Sequence, residues 1–170
     1  MVDGEKRRNE ILKEIKNSET PISGTYLSKK FEVSRQVIVQ DVALLRAKGN
    51  DILATARGYI LNEEVETMIQ RVVSVKHSSE DTENELNIII DNGGRVRNVI
   101  IIHPVYGEIV ANLMLKTRRE IKQFVEKIRE TNANTLLNLT KGEHMHTIEA
   151  TTEEELDIIE SELRNNGYLY

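Results

Sequence analysis

The sequence predicts an α+β protein of two domains, a mostly helical one followed by one in which strands and helices alternate. Apolar residues recur at helical spacing through much of residues 1–61, whereas residues 71–170 switch repeatedly between the two-residue period of strands and the 3.6-residue period of helices. The charge also differs between the two parts. Residues 1–61 carry 11 Lys and Arg against 8 Asp and Glu, a net of +3, and residues 62–170 carry 12 against 20, a net of −8. This difference places a domain boundary near residue 62.

The composition excludes several classes of protein. Of the 170 residues, 39% are hydrophobic and 30% are charged, which is typical of a globular chain. No run of about 18 apolar residues is present to span a membrane, and the charged beginning of the chain does not resemble a signal peptide. The chain has no cysteine, which excludes disulfides and thiolate metal ligands. We therefore expect a cytoplasmic protein without a membrane partner.

The first domain is predicted to begin with two helices. Residues 6–19 place Ile11 and Ile15 on one face of an amphipathic helix. Residues 22–31 predict a second, shorter helix, for which Ser23 is a suitable N-cap. Leu27 and Phe31 of this second helix are expected to face inward.

A third helix is predicted from Ser34, a good N-cap residue, to Gly49, a common helix terminator. Its buried stripe consists of Ile38, Val42 and Leu45. The opposite, exposed side carries polar residues near the N-terminal end of the helix: Arg35, Gln36 and Gln40, together with Val39. A recognition helix contacts bases in the DNA major groove at this end, where Arg suits guanine and Gln suits adenine.

Residues 51–61 predict a hairpin of two short strands with Arg57 at its tip. A basic hairpin in this position is typical of a DNA-binding wing. The alternative is a three-helix scaffold whose basic residues are only a solvated face. The segment from Tyr26 to Leu61 resembles the winged helix-turn-helix of many bacterial repressors, including its Val-Ser-Arg-Gln start of the third helix and its Gly-Tyr in the wing. The resemblance implies that DNA is contacted by four residues of the third helix and its N-cap: Ser34, Arg35, Gln36 and Gln40. Arg57, at the tip of the hairpin, is the predicted DNA contact of the wing.

The second domain is predicted to have the element order β-α-β-β-α-β with one additional helix at its end. The predicted elements are a connecting helix at 62–70, strands at 71–77, 95–103, 108–115 and 142–150, and helices at 78–94, 117–132 and 152–167. This order is that of the ferredoxin-like split βαβ fold. Right-handed crossovers then predict the strand order 4-1-3-2, with every neighbouring pair antiparallel.

This topology is expected to bring three histidines together. His77 ends the first strand, and the even spacing of His144 and His146 at the start of the fourth points both to one face. Glu85, in the first turns of the following helix, can face His77. Three imidazoles and a carboxylate suit zinc, nickel, iron or cobalt, whereas the oxygen ligands preferred by calcium or magnesium are missing.

Ordinary explanations compete with a metal site. A His-x-His pair is a common surface pattern. His103 is expected at the far edge of the sheet, where a single histidine is usually just hydrogen-bonded or exposed. The stretch from His144 to Glu149 also invites comparison with the metal site of cupin barrels. Glu149 is, however, an odd number of residues from both histidines and should point to the other face of the strand. We therefore exclude Glu149 from the predicted site.

Residues 71–170 resemble the three-histidine (3H) domain of niacin-responsive transcriptional repressors of bacteria. The matching features are His77, Glu85, the HPVYG segment at 103–107 and the HMH segment at 144–146. The resemblance implies a repressor of genes for NAD biosynthesis or niacin uptake, with nicotinic acid as its co-repressor. It also implies a divalent transition metal, nickel or zinc, held by the following residues: His77, Glu85, His144 and His146.

We expect nicotinate to bind beside the metal, where His103 and Tyr106 are candidates for contacting it. Binding would fix the spacing of two winged helices in a homodimer on a double-stranded DNA operator. One alternative is a small hydrolase whose metal activates water. Its best general base is Glu85, and no base remains if Glu85 is a metal ligand. In another, the metal is only structural and joins the first strand to the fourth. The sequence favours a regulator over an enzyme.

Overall fold

The protein was analysed as a computed structural model, which describes residues 4–62, 68–131 and 134–170. The chain divides into two compact units, Met1–Glu64 and Val65–Tyr170. The helices are α1 Gly4–Lys16, α2 Gly24–Lys30, α3 Arg35–Ala47, α4 Thr82–Asp91, α5 Arg118–Thr131, α6 Leu136–Leu139 and α7 Glu153–Asn165. The strands are β1 Ile52–Thr55, β2 Gly58–Leu61, β3 Ile69–Lys76, β4 Arg95–His103, β5 Gly107–Leu115 and β6 Glu143–Ala150.

The three predicted helices of the N-terminal unit are confirmed. The hydroxyl oxygen of Ser23 accepts a hydrogen bond from the Tyr26 amide at the start of α2, and that of Ser34 accepts one from the Val37 amide at the start of α3. These bonds satisfy amides that a helix leaves without an internal partner. The predicted stripe of α3 is buried in a core that contains Ile11, Ile15, Leu27, Ile38, Val42, Leu45 and Ile52.

The predicted hairpin forms the wing, and it is attached to the chain segment that precedes α2. The backbones of Ile22 and Tyr59 exchange two hydrogen bonds of 2.8 Å. Gly58 lies so close to this segment that a Cβ atom there would be 2.1 Å from the Ile22 carbonyl oxygen. Its φ of +145° is also one that side chains disfavour. Position 58 therefore requires glycine.

The C-terminal unit confirms the β-α-β-β-α-β order and the antiparallel pairing of every neighbouring pair of strands. The predicted strand order 4-1-3-2 is wrong. The observed order is β3-β6-β4-β5, which is 1-4-2-3 in the same numbering. The last strand therefore lies inside the sheet and the first at its edge. Burial explains the exchange, because residues 146–150 of β6 are all buried, whereas β3 carries Arg71 and Lys76, charges that suit an edge strand.

The connecting helix predicted over 62–70 falls, at residues 63–67, outside the described part of the chain. Ile69 and Gln70 belong to β3, which starts two residues earlier than predicted. At the other end of the unit, the C-terminal tail returns to the free side of β3. The Lys76 amide donates to the Tyr168 carbonyl and the Tyr170 amide to the Ser74 carbonyl.

Helices α4 and α7 pack on the sheet, and α5 packs on α4. Their shared core is aliphatic and includes Val73, Val75, Leu86, Ile89, Ile148, Leu156 and Ile159. Helix α7 begins as predicted, with a capping box between Thr152 and Glu155. Among the described residues, no helix combines the length and the apolar character needed to cross a membrane.

Candidate metal centre and DNA-binding surface

Four ionisable side chains from α4, β6 and the end of β3 meet in one cluster. His77 follows β3 directly, Glu85 lies in α4, and His144 and His146 lie on β6, which pairs with β3. All four are buried, with exposed fractions of 9%, 0%, 7% and 3% in that order. Burying four ionisable groups together is costly unless they are paired or bind an ion, so the cluster requires a chemical explanation.

The Nε2 atoms of the histidines and the carboxylate of Glu85 face one another. His144 Nε2 is 3.1 Å from His146 Nε2. Glu85 Oε2 is 3.5 Å from His146 Nε2 and 3.8 Å from His77 Nε2. One ligand atom from each of His77, Glu85 and His144 lies within 4.8 Å of the others, a separation that one metal ion could bridge.

The Nδ1 atoms point outwards, and each lies against a backbone carbonyl. The distances are 2.7 Å from His77 to Ser78, 3.0 Å from His144 to Gly142 and 2.8 Å from His146 to Asn98. A carbonyl can only accept a hydrogen bond, so each Nδ1 carries the proton. This leaves Nε2 directed at the centre of the cluster, as in many histidine metal sites.

The charges in the cluster are coupled. Burial alone would raise the pKa of Glu85, but the positive charge of His146 holds it below its ordinary value. Burial alone would lower the pKa of His146, but the Glu85 carboxylate raises it above its ordinary value. Burial, followed by the charge of His146, lowers the pKa of His144 to about 4. The raised pKa of His146 and the lowered pKa of Glu85 therefore share one cause, the attraction between these two side chains.

The donor set also fits a metal ion. Glu85 Oε1, Glu85 Oε2 and His77 Nε2 are buried and have no hydrogen-bond partner among the described residues. Such atoms are rare in folded proteins, and a metal ion held between them is one recognised explanation. Three imidazole nitrogens and one carboxylate suit zinc or nickel.

The residues predicted to contact DNA lie on α3 and in the hairpin of β1 and β2. Arg35, Gln36 and Gln40 are exposed on one side of α3, as predicted, and Val39 beside them is 54% exposed. Arg57 lies in the turn between β1 and β2, where the Thr55 hydroxyl oxygen accepts hydrogen bonds from the Arg57 and Gly58 amides. The back of α3 is held by Asp41, which is buried and ion-paired with Arg7 and Arg8 of α1.

Comparison with known families agrees with this two-part architecture. Residues 7–60 match an HTH domain, and residues 70–170 match the 3H domain. The chain belongs to the 3H family of HTH transcription repressors. It is 41% identical over 169 residues to the transcription repressor NadR of Bacillus subtilis (strain 168), covering 98% of this chain and 94% of that protein.

A second relative has the same extent. The probable transcription repressor NiaR of Thermotoga maritima is 41% identical over 165 residues, which cover 97% of this chain and 94% of that protein. The names of both relatives support the prediction of a DNA-binding regulator rather than an enzyme. The 3H domain and its buried histidine–glutamate cluster are compatible with a metal ion, whose identity they leave open.

The 3H domain places His103 differently from the prediction. Because β4 pairs with β6, His103 lies on an interior strand and not at the far edge of the sheet. The register pairs Val99 with His146, so His103 is on the same face as His144 and about 7 Å beyond it along the strands. His103 Nδ1 accepts hydrogen bonds from the Val105 and Tyr106 amides, and its ring is 4.8 Å from that of Tyr106. His103 thus shares the face of the sheet that carries the cluster without belonging to it, and Tyr106 contacts His103.

Glu149 lies on the other face of the 3H sheet, as expected from its odd spacing. It accepts hydrogen bonds of 2.9 Å from both Gln70 and Arg97. This carboxylate therefore already has its partners and takes no part in the cluster.

Sequence reasoning missed four residues around the cluster, one of which is Ser78, whose carbonyl lies against His77 Nδ1. Tyr168 packs its ring 5.6 Å from that of His77, and its hydroxyl accepts a hydrogen bond from Asn84. Gly142 and Asn98 supply carbonyls to the histidines. A glycine directly before the His-x-His strand was a local signal for Gly142. Asn98 had none, because its role depends on how β4 pairs with β6.

Proposed function

We propose that the chain is a DNA-binding repressor of genes for NAD biosynthesis or niacin uptake, with nicotinic acid as co-repressor. In this proposal, residues 1–61 bind a double-stranded operator, 62–70 connect the domains, and 71–170 bind a divalent transition metal, nickel or zinc, and the co-repressor. The observation that carries the proposal is the buried histidine–glutamate cluster in a chain that also has an HTH domain. We expect the protein to act in the cytoplasm.

The metal would be held by the four residues of the cluster: His77, Glu85, His144 and His146. When bound, it would supply a Lewis-acidic position at which a carboxylate or pyridine nitrogen can coordinate. The oxygens of Glu85 support this assignment, because both are buried and neither accepts a hydrogen bond among the described residues, a deficit that a bound cation would offset.

His103 and Tyr106 are the proposed co-repressor contacts. Because His103 Nδ1 accepts two amide hydrogen bonds, the proton of the neutral ring is on Nε2, which can donate to a carboxylate. The Tyr106 ring is 77% exposed and can stack on a pyridine ring. We expect His103→Leu to weaken nicotinate binding about tenfold, the contribution of one hydrogen bond to a charged group, and His103→Gln, which keeps an N–H donor, to weaken it less.

The DNA contacts are assigned to one face of the HTH domain: Ser34, Arg35, Gln36, Gln40 and Arg57. In a homodimer, two such faces would contact half-sites about 34–36 Å apart or a multiple of that distance. Nicotinate can control this binding only if it has a higher affinity for the DNA-competent arrangement than for others.

The test is a titration of nicotinate against the metal-loaded protein and labelled operator DNA, repeated with a chelator. We expect nicotinate to strengthen operator binding, the chelator to remove the effect, and nicotinamide, which lacks the carboxylate, to be much weaker. DNA affinity that stays constant across the nicotinate titration would refute the co-repressor role. Sedimentation of the protein–operator complex measures whether two chains bind.

The burial of all four cluster residues favours a second role for the metal, as a structural ion that joins β3, α4 and β6. The two roles predict different results when the metal is removed. A structural ion predicts that the C-terminal unit unfolds, whereas a sensing ion predicts a folded unit that no longer responds to nicotinate. Circular dichroism of the chelated protein distinguishes them.

A further inference from the structure

We propose that Gly142 and Asn98 are positioning residues of the metal centre. Their backbone carbonyls hold the rings of His144 and His146 with Nε2 directed into the cluster. This inference rests on the proposed metal site and specifies how the fold prepares its ligands. The inference is based on two hydrogen bonds, one from His144 to a carbonyl in the turn before β6 and one from His146 to a carbonyl at a bulge in β4.

Gly142 connects two of the proposed ligands. Its carbonyl oxygen accepts hydrogen bonds from the His77 amide at 3.3 Å and from His144 Nδ1 at 3.0 Å. A Cβ atom at position 142 would be 2.4 Å from the His77 carbonyl oxygen, and the φ of +93° is one that favours glycine. Only glycine therefore allows the turn before β6 to approach the end of β3 this closely.

Asn98 lies at an interruption of the ladder between β4 and β6. The pairing shifts between Val96 and Asn98. At this point the Thr147 amide donates a hydrogen bond of 3.0 Å to the side-chain oxygen of Asn98. The Asn98 carbonyl, in turn, is 2.8 Å from His146 Nδ1. The side chain thus stabilises the bulge, and the bulge brings a backbone carbonyl to the ring. A bulge beside a functional site often redirects a group in this way.

Both contacts fix the histidine rings from outside the cluster. A ring whose Nδ1–H is bonded to a rigid carbonyl cannot rotate freely, and its Nε2 lone pair stays available to a metal. Loss of such an outer hydrogen bond typically weakens metal binding about 10- to 100-fold. Neither residue would itself contact the metal.

The first test compares Asn98→Ala with Asn98→Asp in the full-length protein, using Co²⁺ as a spectroscopic probe. We expect Asn98→Ala to weaken Co²⁺ binding about 10- to 100-fold and to shift the visible absorption bands of the bound ion. Asn98→Asp keeps an oxygen acceptor for the Thr147 amide and should preserve the wild-type bands. Wild-type affinity and bands in Asn98→Ala would overturn the assignment of Asn98, because a merely structural residue would not affect the spectrum.

The second test compares Gly142→Ala with Gly49→Ala. Gly49 has a similar φ of +90°, but a Cβ atom there meets nothing within 4 Å. The control therefore adds similar backbone strain without the contact to His77. We expect Gly142→Ala to weaken Co²⁺ binding by about 100-fold, the upper limit for the loss of an outer hydrogen bond, and Gly49→Ala to bind as wild type. Equal affinities in the two variants, both verified as folded by circular dichroism, would overturn the assignment of Gly142.

A measurement on the metal-free protein separates this inference from the proposed function. Long-range ¹⁵N–¹H NMR of the wild type should show His144 protonated at Nδ1. If the wild type binds no Co²⁺, the metal site is refuted. An Nε2-protonated His144 in the metal-free wild type would instead refute positioning by the Gly142 carbonyl, whether or not a metal binds. If Gly142→Ala does not fold, this measurement decides the role of Gly142.

Discussion

The most deeply buried carboxylate of each unit among the described residues is Asp41 in the N-terminal unit and Glu85 in the C-terminal unit, and the two have different partners. Asp41 accepts hydrogen bonds of 2.6 and 3.3 Å from Arg7, with Arg8 at 3.5 Å. Glu85 faces histidines, and neither of its oxygens has a hydrogen-bond partner among the described residues. Arginine is always charged, whereas histidine can exchange its proton for a metal. Asp41 therefore forms a permanent ion pair, whereas Glu85 lies in a cluster that could hold a metal ion.

The largest effect on metal binding is expected for the double variant His144→Ala/His146→Ala. Removing two of four nitrogen and oxygen donors should abolish metal binding, since a site for zinc or nickel needs at least three protein ligands. Elemental analysis of the purified variant should therefore find no bound metal where the wild type has one ion. Retention of the wild-type stoichiometry would refute the ligand assignment.

Asp41→Asn should affect stability and leave metal binding unchanged. The variant keeps the size of the side chain but leaves Arg7 without its carboxylate, and breaking a buried ion pair costs about 3 kcal/mol. Denaturant unfolding monitored in the N-terminal unit measures the change. Reduced Co²⁺ affinity in this variant would contradict the separation of the Asp41 ion pair from the Glu85 cluster.

Arg35→Ala and Gln36→Ala test the other side of the same helix. Both residues are exposed, so neither substitution should change the free energy of unfolding by more than about 0.5 kcal/mol. Operator affinity should fall about 10- to 100-fold for each, the usual effect of losing a base contact. Uniform loss of affinity for operator and unrelated DNA would instead indicate phosphate contacts.

Glu149→Gln should have the smallest effect and serves as a control for the Glu85 site. Glu149 is on β6, the strand that carries His144 and His146, but it faces the opposite side and pairs with Arg97. Because Gln keeps an amide oxygen that can accept both hydrogen bonds, the substitution should destabilise the unit by only about 1 kcal/mol and leave Co²⁺ binding unchanged. A loss of metal would mean that the two faces of the sheet are coupled.

The features that the sequence predicted correctly depend on local signals. Ser23, Ser34 and Thr152 cap helices through hydrogen bonds within three residues, and β4 has its predicted limits of Arg95 and His103. Alternation along β6 also placed His144 and His146 on one face and Glu149 on the other.

The features that the sequence predicted wrongly or missed depend on distant pairing. Whether β3 or β6 occupies the interior of the sheet is decided by competition between strands far apart in the chain, and the wrong order misplaced His103. The bulge at Asn98 likewise exists only because β4 pairs with β6. The hydrogen bond between His146 and the Asn98 carbonyl joins residues that are 48 positions apart in the chain. No periodicity in either strand alone reports this pairing.

The interior position of β6 has a consequence for the synthesis of the protein. Its neighbours β3 and β4 are translated much earlier, yet neither can complete its pairing before residues 143–150 leave the ribosome. Such distant pairing is expected to make folding of this unit slow compared with that of the helical unit. The N-terminal unit, complete by Glu64, can fold while the rest is still being translated. A nascent chain could thus have a finished DNA-binding surface before it has any site for a metal.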